Sequence, residues 1–177
     1  FCFITMLCWG SWGNTQKLAG KTWRYELFYW DYVIGVLLLS LVFAFTLGSF
    51  GEDGRGFIED LAQADMKNIG SAFLGGIVFN AANILLSTAI AIAGLAVAFP
   101  VGIGLALVLG VIINYIGSQK GDPVFLFLGV ALVALAIILN AIAYKKTSGG
   151  NQKVTSKGIL VSVLAGVLMS FFYRFIA

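Results

Sequence analysis

Uninterrupted apolar runs of about 20 residues recur through this chain, the length at which an α-helix crosses a hydrocarbon core of about 30 Å. Stretches such as "VIGVLLLSLVFAFTLG", "FLGGIVFNAANILLSTAIAIA" and "AVAFPVGIGLALVLGVII" hold no charged side chain. Inside lipid every backbone N–H must find its partner within its own segment or in a closed barrel, and runs this long and continuous point to helices. The expected fold class is therefore all-α, a polytopic transmembrane helix bundle. Composition agrees: 60% of the 177 residues are hydrophobic and only 11% charged, against about 25% charged in an average soluble domain.

The expected spans are 1–13, 30–48, 69–91, 94–117, 124–143 and 158–177. The chain starts at Phe1 inside an apolar run and stops at "FFYRFIA" while still apolar, so it is expected to be a fragment, with its first and last spans cut short. No basic stretch and small-residue cleavage site mark a signal peptide. The third and fourth spans meet almost without a loop at Gly94, which predicts a tight antiparallel hairpin. In "KGDP", Asp122 and Pro123 suit the cap and first turn of the fifth span. The basic linker "KKTSGGNQKVTSK" is expected to separate a first five-helix repeat, 1–144, from the opening helix of a second, 158–177. "FIEDLAQ" reads either as a short amphipathic surface helix or as a solvated loop with a helical turn.

Basic residues set the expected orientation. Lys17, Lys21, Arg24, Lys145, Lys146, Lys153 and Lys157 follow spans one and five, while Arg55, Lys67 and Lys120 follow spans two and four. The first group belongs in the cytoplasm, with the start of the chain outside. "YELFYWDY" reads as an aromatic belt just ahead of span two.

Several chemistries are disfavoured. Cys2 and Cys8, six apart on one helix, point in different directions and are poorly placed for a disulfide. With no histidine, the commonest metal ligand and general base is missing, and neither a metal nor a cofactor is expected. No basic patch interleaved with aromatics points to nucleic acid. An intramembrane enzyme would need acid–base pairs at one depth, and the spans carry none.

What remains is a set of polar residues in apolar runs. Gly94, Ala98, Gly102, Ala106 and Gly110 repeat every four residues in span four, and Asn114 and Ser118 continue the row. Small residues on one face let helix backbones approach, so the row reads as a packing seam, with a ligand role open at Asn114. Pro100 is expected to kink or loosen that span. Asn80, Asn83 and Ser87 fall on one face of span three, where they bond a neighbouring helix or face a polar cavity. Ser162, Gly166, Ser170 and Arg174 repeat by four in span six, and Arg174 either faces the bundle interior or snorkels to an interface. In "WGSWGNTQK" at the end of span one, Trp9, Trp12 and Asn14 combine indole faces with an amide, as a pocket for a planar neutral solute requires. An interfacial tryptophan anchor is the plainer reading. Asp31 is either a proton site or the N-cap of span two.

"ITMLCWGSWGNTQK" and "LAGVLMSFFYRFIA" share a pattern that sets Trp12 against Phe172 and Asn14 against Arg174. Five spans separate their starts, and repeats of five helices must insert in opposite directions, as in many secondary transporters. At this point "FYWDYVIGVLLLSLVFAFTLGSFGE", "FIEDLAQ" and "GGIVFNAANILLSTAIAIAGLAVAFPVGIGLALVLGVIINY" resemble the ureide permeases of the drug/metabolite transporter superfamily, over about Phe3 to Tyr144. Bacterial chains of this kind are also similar to glucose/ribose-type porters. The resemblance implies a ten-helix carrier of two inverted repeats, a central cavity, alternating access, and cargo such as allantoin or uracil moved with protons. The plant proteins carry a long central loop with a nucleotide-binding-like motif; here 145–157 is short and lacks GxxxxGK[ST], so nucleotide regulation is not implied.

The leading expectation is thus a permease for a small polar solute, a nitrogenous heterocycle, in a bacterial inner membrane. Trp9, Asn14, Asn80, Asn83 and Asn114 would line its cavity and Arg174 would enter from the second repeat, with the bilayer, a coupled proton and the rest of the chain as partners. A sugar porter or metabolite exporter shares the fold. A scaffold subunit whose amides only join helices is the reading from another class.

Overall fold

The computed structural model describes residues 2–50, 54–119, 121–147 and 155–176, so Lys120 and most of the 145–157 linker lie outside the described residues. Among the described residues seven helices follow one another: α1 (Cys2–Ala19), α2 (Tyr25–Phe45), α3 (Phe57–Gln63), α4 (Met66–Ala93), α5 (Leu95–Ser118), α6 (Pro123–Thr147) and α7 (Ser156–Phe172), with a 3-10 turn at Tyr173–Phe175. No strand occurs among the described residues. The five helices α2, α4, α5, α6 and α7 are long and apolar enough to cross a membrane, which makes this an integral membrane protein.

Local chemistry explains the boundaries. α4 turns into α5 through the single residue Gly94, whose φ of 79° and ψ of 156° lie in a region that side chains avoid. Asp65 caps α4 by accepting the Lys67 N–H at 3.1 Å, and Asp122 caps α6 by accepting the Val124 N–H at 2.8 Å. The Ser49 hydroxyl donates to the Ala44 carbonyl and accepts the Phe57 N–H, tying the end of α2 to the start of α3. "FIEDLAQ" is a helix, and Phe57 meets Phe45 edge-on at 5.4 Å.

Two starting points differ from expectation. α1 does not end at Gly13 but runs on to Ala19, because Asn14 and Thr15 bond back to the carbonyls of Gly10 and Ser11 and so satisfy themselves within the helix. α2 begins at Tyr25 with Arg24 in the cap position. "YELFYWDY" therefore forms the first turns of α2 rather than a segment ahead of it, and Asp31, well inside α2, is not its N-cap.

The core lies where α4, α5 and α7 meet. Leu86, Ala89, Ile90, Ala98 and Ala165 form one buried cluster, and Ala82, Ala106 and Met169 another. Backbone touches backbone there: a Cβ on Gly166 would stand 2.5 Å from the Gly102 carbonyl, and one on Gly102 would stand 3.2 Å from that of Ser162. In the four-residue row, Ala98, Gly102 and Ala106 are buried, Gly110 lies beside Ser170, and Gly94 is the hairpin turn rather than a rung. α5 runs on through Pro100, whose ring nitrogen has no hydrogen to offer the Ala96 carbonyl. α2 and α6 bury none of the residues in their apolar windows and lie at the periphery.

Residue pairings fix the helix directions. Trp9 meets Phe79 and Gln16 meets Ser87, so α1 runs parallel to α4. Gly75 lies against Phe175 and Gly158 against Ala93, so α7 runs antiparallel to α4. α1 and α7 consequently run in opposite directions.

Candidate functional site

Between α1, α5 and α7 opens a groove of about 800 Å³. Trp9, Phe99, Tyr115, Phe172 and Tyr173 give it aromatic walls, while Asn114, Ser118 and Ser170 bring polar atoms to them. Their local bonds decide what those atoms offer. The Asn114 amide nitrogen is spent on the Gly110 carbonyl at 2.8 Å, and the Ser118 and Ser170 hydroxyls donate to Asn114 and Val167 of their own helices. With those donors spent, the Asn114 amide oxygen and the serine lone pairs are left as acceptors, a set that suits a flat solute carrying N–H donors. Trp9 is held by an edge contact with Phe79 at 6.4 Å, and Phe79 in turn packs on Phe172 at 4.8 Å.

The second polar constellation is buried between α1 and α4. Gln16 is 4% exposed, Asn83 2% and Ser87 1%. The Gln16 amide nitrogen donates to the Ser87 carbonyl at 3.0 Å. Four polar atoms here have no partner: Trp12 Nε1, Gln16 Oε1, Asn83 Nδ2 and Ser87 Oγ. Trp12 is half-buried against Tyr32 at 5.5 Å and Phe99 at 6.2 Å. An expected span of 1–13 leaves Gln16 outside the first helix, so sequence reasoning misses it. Its spacing from Trp9, Trp12 and Gly13 marks it as part of the same face once the helix is known to continue.

The six expected binding residues are thus not brought together. Trp9 and Asn114 share the groove. Asn83 is in the buried constellation, separate from Asn80, which is exposed, donates to Gly76 and accepts from the Tyr29 hydroxyl at 3.0 Å. Positions three apart on a helix diverge by about 60°, enough to set Asn80 facing Tyr29 of α2 while Asn83 is enclosed. Asn14 is exposed and bonded to its own helix. Arg174 is exposed in the 3-10 turn, its guanidinium resting over Gly117 at the end of α5. Asp31 is exposed on α2. Among the described residues no three His, Cys, Asp or Glu side chains come together as a metal site.

A third cavity, of about 700 Å³, opens at the end of the bundle that holds the Gly94 hairpin. Lys17, Lys21 and Arg24 rim it, and Gln16 reaches its wall. Arg24 pairs with Glu26 at 3.1 Å, and that hydrogen bond pushes the guanidinium pKa up from its already high value.

A bundle of apolar helices long enough to span a bilayer, with aromatic and amide-lined cavities, defines a polytopic membrane protein. The chain belongs to the ureide permease family, whose sequence profile matches residues 28–165. It is 30% identical over 154 residues to ureide permease 2 of Arabidopsis thaliana, covering 84% of this chain and 39% of that protein. Ureide permease 1 of Arabidopsis thaliana is 27% identical over 151 residues, 84% of this chain and 39% of the relative. A probable ureide permease A3 of Vigna unguiculata is 26% identical over 156 residues, 85% and 42%. The chain therefore spans about two fifths of the length of these relatives. They are named as permeases, not enzymes, and they are plant proteins, which lends the expected bacterial membrane no support. No solved structure matches the chain.

Proposed function

We propose that this chain is part of a secondary-active permease that moves a small, neutral, nitrogen-rich heterocycle of the ureide class by alternating access. Membership of the ureide permease family supports the transporter class. The observation that carries the solute class is the groove of about 800 Å³ that Trp9 and Asn114 line together. An aromatic wall binds a planar ring by its face, and unspent acceptors select N–H groups at its edge. The opposite directions of α1 and α7 support a second repeat inverted relative to the first, with the boundary in the 145–157 linker. Asp31 on α2 is the proposed proton site, and the Lys17, Lys21 and Arg24 end is proposed to face the cytoplasm.

The test is uptake of radiolabelled allantoin by cells expressing the full-length protein, with unlabelled uracil or glucose as competitor. Accumulation blocked by uracil and not by glucose supports the proposal. Glucose competition, or no accumulation, assigns the cargo elsewhere and moves the search to the sugar porters of the same fold.

A further inference from the structure

Helix-borne hydroxyls and amides in this chain have a habit: they bond back to the carbonyl four residues earlier. Thr88, Ser118, Ser162, Asn80 and Asn114 all do so. Asn83 and Ser87 do not, although both are nearly fully buried, and the Asn83 amide nitrogen and the Ser87 hydroxyl are left without partners. Across the interface Gln16 must turn its nitrogen to the Ser87 carbonyl, since a carbonyl can only accept, and this leaves Oε1 unpaired. Gln16 and Ser87 are 71 positions apart, and Trp12 and Asn83 stand at the same offset along the parallel helices α1 and α4. The unpaired indole N–H of Trp12 therefore lies level with Asn83. Amides that merely join two helices would bond each other. Four orphaned buried polar atoms on the two helices that the Gln16–Ser87 bond joins are a costly arrangement that calls for an external partner.

We infer that Trp12, Gln16, Asn83 and Ser87 form a recognition site for the planar amide or ureido edge of the transported solute. The inference rests on the permease reading above and names the residues that read its cargo. The site offers two N–H donors, one carbonyl acceptor and one hydroxyl that can serve either way, with no charged group among them. A carbonyl flanked by N–H groups meets that set: its oxygen accepts from Trp12 Nε1 and Asn83 Nδ2, and its N–H donates to Gln16 Oε1. Gln16 borders the cavity of about 700 Å³ rimmed by Lys17 and Lys21, and Ser87 borders one of about 370 Å³ that Tyr29 and Asn80 also line.

The experiment uses the full-length protein in proteoliposomes, with Trp12→Phe, which removes the indole N–H together with part of the ring, and Ser87→Ala, which removes the hydroxyl alone. Allantoin KM is measured beside the thermal unfolding temperature of the same preparations. Each variant is expected to raise KM about tenfold, the loss of one hydrogen bond to solute, while the unfolding temperature of Ser87→Ala stays level or rises, because its hydroxyl had no partner inside the protein. Wild-type uptake with unchanged KM in both variants overturns the site and leaves the permease reading standing, and so does a lowered unfolding temperature without a KM change. A wild-type protein that moves no allantoin overturns the ureide reading itself, and the ureido site with it.

Discussion

Glycines that look alike in the sequence carry unlike burdens. A Cβ at Gly166 would stand 2.5 Å from the backbone oxygen of Gly102, and no side-chain rotation relieves a clash with backbone. Gly166→Ala is expected to push α5 and α7 apart and to cost about 1–3 kcal/mol, read as a lower unfolding temperature in detergent. Gly10 meets nothing within 4 Å, so Gly10→Ala in the middle of α1 is expected to be neutral or to gain up to about 1 kcal/mol in helix propensity. If both variants unfold at the same temperature, the close α5–α7 approach is wrong. The four-residue repeats were legible because small residues at that spacing serve one purpose in lipid, backbone approach. The amides were not. Asn80 and Asn83 carry the same side chain three positions apart, and only the placement of α2 and α1 decides that one accepts from Tyr29 while the other is enclosed.

At the level of the helix, single residues decide where elements begin. Gly94 is the whole connection between α4 and α5, and its φ of 79° with ψ of 156° is open to glycine alone. Gly94→Ala is expected to cost on the order of 1–3 kcal/mol and to lower the folded yield. A variant as stable as the parent would show that the hairpin turns elsewhere. Asp122 acts more locally. Asp122→Ala removes the acceptor of the Val124 N–H, with an expected loss of about 1 kcal/mol seen as faster hydrogen exchange at Val124 and Phe125, while α4 amides keep their protection. Both features could be read in advance because a turn glycine and a capping aspartate act on their immediate neighbours. The ends of α1 and the start of α2 could not. Asn14 and Thr15 are equally apt to close a helix or to bond back within one, and the structure has them bonding back. The same misjudged end hid Gln16, whose burial depends on α1 reaching Ser87.

Apart from the short α3, successive helices alternate in direction, so the described connecting segments lie at one of two ends. The segment after α1, the Gly94 hairpin and the start of α7 share one end, since Gly20, Trp23 and Gly94 border one cavity and Gly158 lies against Ala93. The segment between α2 and α4, the α5–α6 turn and the 3-10 turn share the other, where Ser71 donates to the Phe175 carbonyl and Arg174 rests over Gly117. Lys17, Lys21, Arg24 and Lys157 lie at the first end and Arg55 and Lys67 at the second, and the richer basic end is the one proposed above to face the cytoplasm. This asymmetry makes a definite prediction for single cysteines in the full-length protein with Cys2 and Cys8 changed to serine. Thr22→Cys and Asn68→Cys leave every charge in place, and both positions are exposed. In intact cells a membrane-impermeant maleimide is expected to label Asn68→Cys and to reach Thr22→Cys only after permeabilisation. The reverse pattern would turn the protein over in the membrane while keeping its helix directions. Labelling of both from the same side would break those directions, and with them the opposed arrangement of α1 and α7 on which an inverted second repeat depends.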